Sequence, residues 1–332
     1  MSIKKQNIAI IGAGISGLAL ANMLHGLADV EVFEKSRGYG GRLATHYERD
    51  FEFDHGAQFF TAKSNKFQAF LQPLIDAGVV GIWNTRFVEI DDGRILHRRN
   101  WDTEYPHYVG IPRMNAIGKY LAKDISIRLC TEVSRIVQFG DHKWELFDTY
   151  GNDLGSFDWV VCSAPAYQTQ NLLPALFAYH SELQSIQMLG CYAMMLSLPK
   201  ELDVDWDVAL VKHAPISWIS FNASKPGRNT SNAVVALSSN KWAVEHLKTS
   251  LAEVQEKLLD AFWRIVDVGD IALLNCQIRR WGYANVGKNN RFKCLLDQHH
   301  KLAAIGDWCI QGRVENAFTS AYELCNQIIG MM

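Results

Sequence analysis

What the sequence lacks sets the first bounds. It has no long apolar run: the longest, Ile8 to Ala21, contains three glycines and is too short to span a bilayer. It has no surplus of either charge, with 33 Lys and Arg against 35 Asp and Glu and a formal net charge of −2. That balance removes the electrostatic footprint of a nucleic-acid or anionic-membrane partner. It has no C-x-x-C spacing either. The seven cysteines (Cys130, Cys162, Cys191, Cys276, Cys294, Cys309 and Cys325) are odd in number and scattered. They therefore argue against a disulfide framework or zinc site and read as reduced core thiols. Of eleven histidines only His299 and His300 adjoin, and neighbours on a strand point to opposite faces, so no metal is expected. Lys4 and Lys5 are followed by no small-residue cleavage site, and the expectation is a mature, cytoplasmic N-terminus. No internal repeat, low-complexity tract or long linker appears.

What is present is a globular composition, 48% apolar and 20% charged over 332 residues, long enough for two domains. Asn7 to Ile11 reads as a strand, Ile15 to Leu27 as a helix and Val30 to Glu34 as a second strand, a βαβ opening. Asn65 to Ala77 and Arg113 to Lys123 read as helices. Ile125 to Asp153 alternates like a small antiparallel sheet, and Asp158 to Cys162 is a short apolar run of the buried parallel-strand kind. Gly190 to Leu198, Ile216 to Phe221 and Ala233 to Ser238 alternate like half-buried strands. A helix at Leu251 to Val266 follows, with Ser250 and Glu253 spaced as a capping box. Near the end, strand Leu302 to Ile305 leads through a loop to a helix from about Asn316 to Ile329.

Gly12-Ala13-Gly14-Ile15-Ser16-Gly17 fits G-x-G-x-x-G between a strand and a helix. Gly12 permits the turn, Gly14 lets a pyrophosphate approach the backbone, and Gly17 allows close helix–strand packing. The helix N-terminus offers N–H groups and partial positive charge to phosphates. Glu34, closing the second strand, is placed for ribose hydroxyls. Strand, motif, helix, strand and acid together indicate an ADP-containing cofactor, without separating FAD from NAD. The stretch Glu34 to Arg42 adds Lys35, Gly40, Gly41 and Arg42, which suit an extended dinucleotide; the plainer alternative is a flexible basic loop. Ile305-Gly306-Asp307, with Val314-Glu315-Asn316 at a helix start, offers a second clamp: Asp307 for a ribitol or phosphate oxygen, the helix end for the isoalloxazine ring. The alternative there is a turn with Asp as helix cap.

GAGISGL, EKSRGYGGRLAT, FDHGAQFF at 53–60, AIGDW at 304–308 and VENAF at 314–318 resemble the flavin amine-oxidase superfamily, and within it bacterial renalase-like proteins. The resemblance runs over nearly the whole chain and implies an α/β architecture: a Rossmann-type FAD-binding domain with an inserted β-rich substrate domain, similar to para-hydroxybenzoate hydroxylase. The expected division is 1–66, 111–168 and 271–332 for FAD, and 67–110 with 169–270 for substrate. The candidate cofactor-binding set is Gly12, Ala13, Gly14, Ser16, Gly17, Glu34, Lys35, Gly41, Arg42, Gly56, Ala57, Gln58, Phe59, Val133, Asp307, Val314, Glu315 and Asn316. FAD is expected to be non-covalent, because no Cys or His lies in an attachment motif.

The family activity implied is oxidation of 2- and 6-dihydroNAD(P) isomers to NAD(P)+, with electrons passed to O2 to give hydrogen peroxide. Hydride transfer from a dihydropyridine needs no acid–base pair, and none stands out; it needs an aromatic slot. Candidates are Phe59, Phe60, Trp101, Tyr105, His107, Tyr108, Trp218 and Trp281, each equally readable as a core aromatic. Phe59, Trp281, His107 and Tyr105 are singled out as catalytic. His55 and His107 are open between general base and structural contact. The chain departs from the family pattern at Pro112-Arg113-Met114 and at Arg280-Trp281-Gly282-Tyr283. Two other functions stay open: an amine oxidase or desaturase of a small metabolite, and a flavin- or nucleotide-sensing protein without turnover.

Overall fold

The computed structural model describes residues 5–140, 143–229, 232–269, 271–287 and 292–331. The chain divides into two compact units, Met1–Arg42 with Ile117–Met188 and Val286–Met332, and Leu43–Ala116 with Leu189–Asn285.

The first unit is built on a six-stranded sheet in the order Leu295–Asp297, Leu302–Ala304, Trp159–Cys162, Asn7–Ile11, Asp29–Phe33, Ser126–Arg128. Only the edge strand Leu295–Asp297 pairs antiparallel. Asn7–Ile11 and Trp159–Cys162 are continuous apolar runs because a central parallel strand is covered on both faces, and Ile8, Val160 and Val161 have no exposed surface. Helix Ile15–Leu24 packs against helix Val314–Ile329, pinned by Ser16 Oγ donating to the Ala317 carbonyl at 2.6 Å. A three-stranded antiparallel sheet, Val133–Phe139, Lys143–Asp148 and Asp153–Phe157, contributes Trp144, Leu146 and Phe157 to the same core as Ile11 and Phe33. The alternation after Ile125 is therefore split between two sheets. Ser126–Arg128 extends the parallel sheet beside Asp29–Phe33, held by Arg128 on Glu31 at 2.6 Å.

The second unit centres on a seven-stranded sheet in the order Asn275–Val286, Met188–Ser197, Ala233–Ser238, Ile216–Phe221, Val208–Lys212, Thr85–Asp91, Arg94–Trp101. On one face Val88, Ile90, Met194, Ile219 and Ala236 form a core with Val254, Leu258 and Phe262 of helix Leu251–Val266. On the other face Met195 and Val235 meet Phe53. With apolar cover on both faces, Met188–Ser197 is more deeply buried than its alternation indicates. The hairpin Thr85–Asp91/Arg94–Trp101 escapes a hydrophobic pattern because its edge strand is exposed over every residue but Trp101.

The division falls at other residues than the sequence boundaries. Residues 43–66, 111–116 and 271–285 belong to the second unit and 169–188 to the first. Strand Asn275–Val286 is hydrogen-bonded into the seven-stranded sheet, while Leu173, Phe177 and Leu183 lie in the core with Val160 and Leu302. The helix expected from Arg113 spans only Ala116–Leu121, since the Met114 N–H is donated at 3.1 Å to the Asp54 carboxylate. Among the described residues no helix is long and apolar enough to cross a membrane, and no cluster of three or more His, Cys, Asp and Glu side chains is set to hold a metal.

Helix Leu251–Val266 begins with the expected cap: Ser250 Oγ accepts from the Glu253 N–H at 3.2 Å. Ser250→Ala should lower unfolding free energy by about 1 kcal/mol. Urea titration should show a lower midpoint with unchanged slope.

Candidate functional site

The glycine turn of the first unit is sterically obligatory. Gly12 has φ +109°, and a Cβ on Gly17 would stand 2.1 Å from the Gly12 carbonyl oxygen. Gly14 is different: it is extended at φ −76° and ψ 179°, and a Cβ there would meet nothing within 4 Å. The loop after Glu34 folds back on this turn through the Gly40 N–H, donated to the Ala13 carbonyl at 2.8 Å. Gly41, at φ +55°, lies close enough that a Cβ would sit 3.3 Å from Gly14 Cα. Buried Glu34 accepts the Ala13 N–H on one carboxylate oxygen and the Ser36 N–H on the other, both at 2.8 Å. Each oxygen keeps a further lone pair for a hydroxyl.

Arg42 and Asp307, 265 residues apart, form a two-bond ion pair at 3.0 and 2.5 Å. Their sequence assignments, pyrophosphate for Arg42 and ribitol or phosphate for Asp307, are thus modified: part of each group's capacity is spent on the other. The Ser16 hydroxyl is used on the Ala317 carbonyl, so its backbone N–H is what would be left for a phosphate. Lys35 is exposed, 3.4 Å from Gln168 Oε1 and 3.9 Å from Glu132. Val133 is a core side chain. Val314, Glu315 and Asn316 form the first turn of a helix with no side-chain cap at Arg313, and Asn316 Nδ2 is donated to the Gln311 carbonyl at 2.6 Å. These residues fit FAD's ADP half. There is open space at Gly14, an uncapped helix start beside it and a carboxylate with spare acceptor capacity. Gly12 to Gly14 and the first helical turn would hold the pyrophosphate, and Glu34 the ribose.

In the second unit the segment after strand Phe51–Asp54 is organised by a buried charge network that sequence reading missed. Asp54 pairs with Lys225 Nζ at 3.3 Å and Arg228 Nη2 at 2.6 Å, all three side chains being fully buried. Thr45 Oγ1 donates to it at 2.8 Å. Burial alone raises a carboxyl pKa, but the two cations and the Arg228 and Thr45 hydrogen bonds outweigh it and bring Asp54 to about 2. Burial brings Lys225 down to about 8, with Asp54 opposing. Gln58 joins in: its Oε1 accepts from Lys225 at 3.1 Å and Ser220 at 2.9 Å, and its Nε2 donates to the Asp54 carbonyl at 2.5 Å and the Gly56 carbonyl at 3.1 Å. Half-buried Gly56 and Ala57 lie inside this closed loop. The one sequence signal was a pair of cations three residues apart beside Pro226-Gly227, with nothing to show their burial.

The loop delivers two side chains. Phe59 enters a ring cluster 4.9 Å from Trp101, 5.0 Å from His107 and 5.4 Å from Trp218, centroid to centroid. His107 lies flat on Trp101 at 3.7 Å and 5°. Burial, aided by Arg99 and opposed by a backbone bond to Tyr105, lowers the His107 pKa. His55 instead stacks on Trp281 at 5.1 Å, and Trp281 Nε1 donates to the His55 carbonyl at 2.9 Å. The four residues singled out as catalytic are thus separated. Phe59 and His107 meet, Trp281 joins His55, and Tyr105 stands in solvent, 74% exposed, beyond the end of its strand. Phe60 stacks on Tyr108 at 5.8 Å. Of the departures, Arg113 pairs with Glu52 and lies over the Tyr47 ring at 5.2 Å, and Gly282 is exposed with open space around it.

Two expectations follow. Gly17→Ala should destabilise the apoprotein and abolish FAD retention, whereas Gly14→Val should leave the apoprotein melting temperature unchanged and lower retained FAD. Thermal melts and flavin-to-protein absorbance ratios check both. His55 is held at about 4, chiefly by burial, from an ordinary 6.5, and its Nδ1 is buried without a partner. Its folded pKa is depressed, so the unfolded chain binds the extra proton between those values and stability falls as pH drops from 6.5 towards 4. His55→Gln should flatten that part of a pH–stability profile.

Residues 86–329 match the family model described as flavin containing amine oxidoreductase, and residues 10–74 match a NAD(P)-binding Rossmann-like domain. A structure described as a protoporphyrinogen oxidase from Exiguobacterium sp. 255-15 superposes with TM-score 0.80 at 12% identity, covering 100% of both chains. A triple mutant of putrescine oxidase gives 0.70 at 12%, covering 99% of each. At that identity they establish the fold. A tryptophan 2-monooxygenase of Agrobacterium tumefaciens (strain Ach5) is 50% identical over 50 residues, 14% of this chain and only 7% of the relative. With the family model matching most of its length and a cradle suited to FAD, the chain belongs to the flavin-containing amine oxidoreductase family and is an FAD-dependent oxidoreductase.

Proposed function

We propose that the protein oxidises 2- or 6-dihydroNAD(P) isomers to NAD(P)+, with O2 as electron acceptor, hydrogen peroxide as product, and FAD held without a covalent bond. The chemistry FAD supplies when bound is acceptance of a hydride and return of two electrons to O2. The second unit's task is to orient a flat ring, and the carrying observation is the ring cluster of Phe59, Trp101, His107 and Trp218 together with the charge beside it. The Arg99 guanidinium lies 4.8 Å over the Phe87 ring, which is stacked on Trp101. A cation next to the rings disfavours a protonated amine and suits a neutral dihydropyridine on an anionic nucleotide. His107, with its lowered pKa, is neutral at pH 7, so its part is stacking rather than proton donation. A cytoplasmic location, where pyridine nucleotides are abundant, accords with this reading.

Amine oxidation is the second reading, favoured by the family description. Anaerobic mixing distinguishes the two. The dihydroNAD(P) isomers should bleach the flavin's visible band far faster than primary amines or 4-dihydroNADH. Phe59→Ala should slow bleaching by roughly 10²-fold with FAD content unchanged, as expected when orientation is lost. Rapid bleaching by an amine, with no response to the isomers, would establish the amine reading instead.

A further inference from the structure

Strand Arg94–Trp101 is the sheet edge, and Trp101 and Arg99 are two residues apart on it. They therefore share one face, about 7 Å apart. Arg99 is directly opposite Phe87 in the neighbouring strand. The side chains form one continuous stack: His107 on Trp101 at 3.7 Å and 5°, Trp101 on Phe87 at 5.3 Å and 19°, and the Arg99 guanidinium 4.8 Å above the Phe87 ring.

The neighbouring cations are engaged with carboxylates. Arg98, on the opposite face, is 2.7 Å from Asp205, Arg86 is 2.7 Å from Asp207, and Lys212 pairs with Glu89. Arg94 is at the hairpin turn. Arg99 is exposed and, among the described residues, has no carboxylate within ion-pair distance. It is oriented instead by a ring face, an attraction that uses none of its five N–H donors. A guanidinium positioned this way keeps its fork for a two-bond contact with an anion.

We propose that Arg99 is a phosphate anchor: it binds the phosphoryl group of a nicotinamide nucleotide whose ring lies in the Phe59–Trp101–His107–Trp218 cluster. This rests on the dihydronicotinamide reading and names the residue that holds the nucleotide's phosphate. One ribose separates ring from phosphate in such a ligand, matching the two-residue spacing between Trp101 and Arg99. Glu89, the carboxylate on the same face, is held by Lys212, and His97, directly across from it, adds a second group that can donate to the anion.

The test is titration calorimetry of the FAD-loaded protein with oxidised nicotinamide mononucleotide and with nicotinamide riboside, which lacks the phosphate. The wild type should bind the mononucleotide about tenfold or more tightly than the riboside. Arg99→Gln should erase that preference without lowering riboside affinity, since removing a cation cannot weaken binding of a pyridinium ring, and Arg99→Lys should restore part of it. Equal wild-type affinity for the two, no binding of either, or an equal loss on both in Arg99→Gln would overturn the anchor. Flavin bleaching by reduced riboside reads the ring chemistry without the phosphate. If no dihydronicotinamide bleaches the flavin while the Arg99-dependent preference persists, the oxidase reading fails and the anchor stands. If bleaching proceeds with no preference, the reverse holds.

Discussion

Two cations without accessible surface cannot persist in a protein interior unless an anion lies against them. In the second unit that anion is Asp54, bonded to Lys225 and Arg228 at once. Removing one partner from such a group costs about 3–5 kcal/mol, because the others are left charged in a low dielectric. The same carboxylate accepts the Met114 N–H and the Thr45 hydroxyl, so it sets where the following helix begins and closes its own hairpin. Lys225 then reaches Gln58, and Gln58 closes the loop by its bonds to the Asp54 and Gly56 carbonyls. The placement of Phe59 among its rings and of His55 on Trp281 depends on this chain of charge-assisted bonds.

The first unit relies on a different constraint, close backbone approach. Gly17 cannot carry a side chain because it faces the Gly12 carbonyl, and Gly12 is held at φ +109°, where side chains are strained, whereas Gly14 faces open space. The three glycines of one motif therefore stand in unlike surroundings: two make the turn and the third is sterically free. Arg42 and Asp307 join distant parts of the chain at the same place, and the pairing of Leu302–Ala304 beside Trp159–Cys162 brings Asp307 there.

Much of this was legible in the order of residues. The βαβ opening, the tight turn at Gly12, the close approach at Gly17, the helix Leu251–Val266 with its Ser250 cap and the buried parallel strand near 160 all follow from local periodicity and spacing. The edge strand Arg94–Trp101 did not, because an exposed strand carries no apolar alternation. Ser126–Arg128 is too short to reveal which sheet it joins. The aromatic candidates could not be sorted from the sequence: Trp101, His107 and Trp218 converge on Phe59, Trp281 pairs with His55, and Tyr105 faces solvent.

By itself the sequence determined the nucleotide-binding turn and the class of fold, since glycine sterics and hydrophobic period act over a few residues. Only the tertiary structure decided which charges are buried together. Asp54 meets Lys225 across 171 positions and Arg42 meets Asp307 across 265. Pairings at such range are set by strand register and packing, which no local pattern encodes.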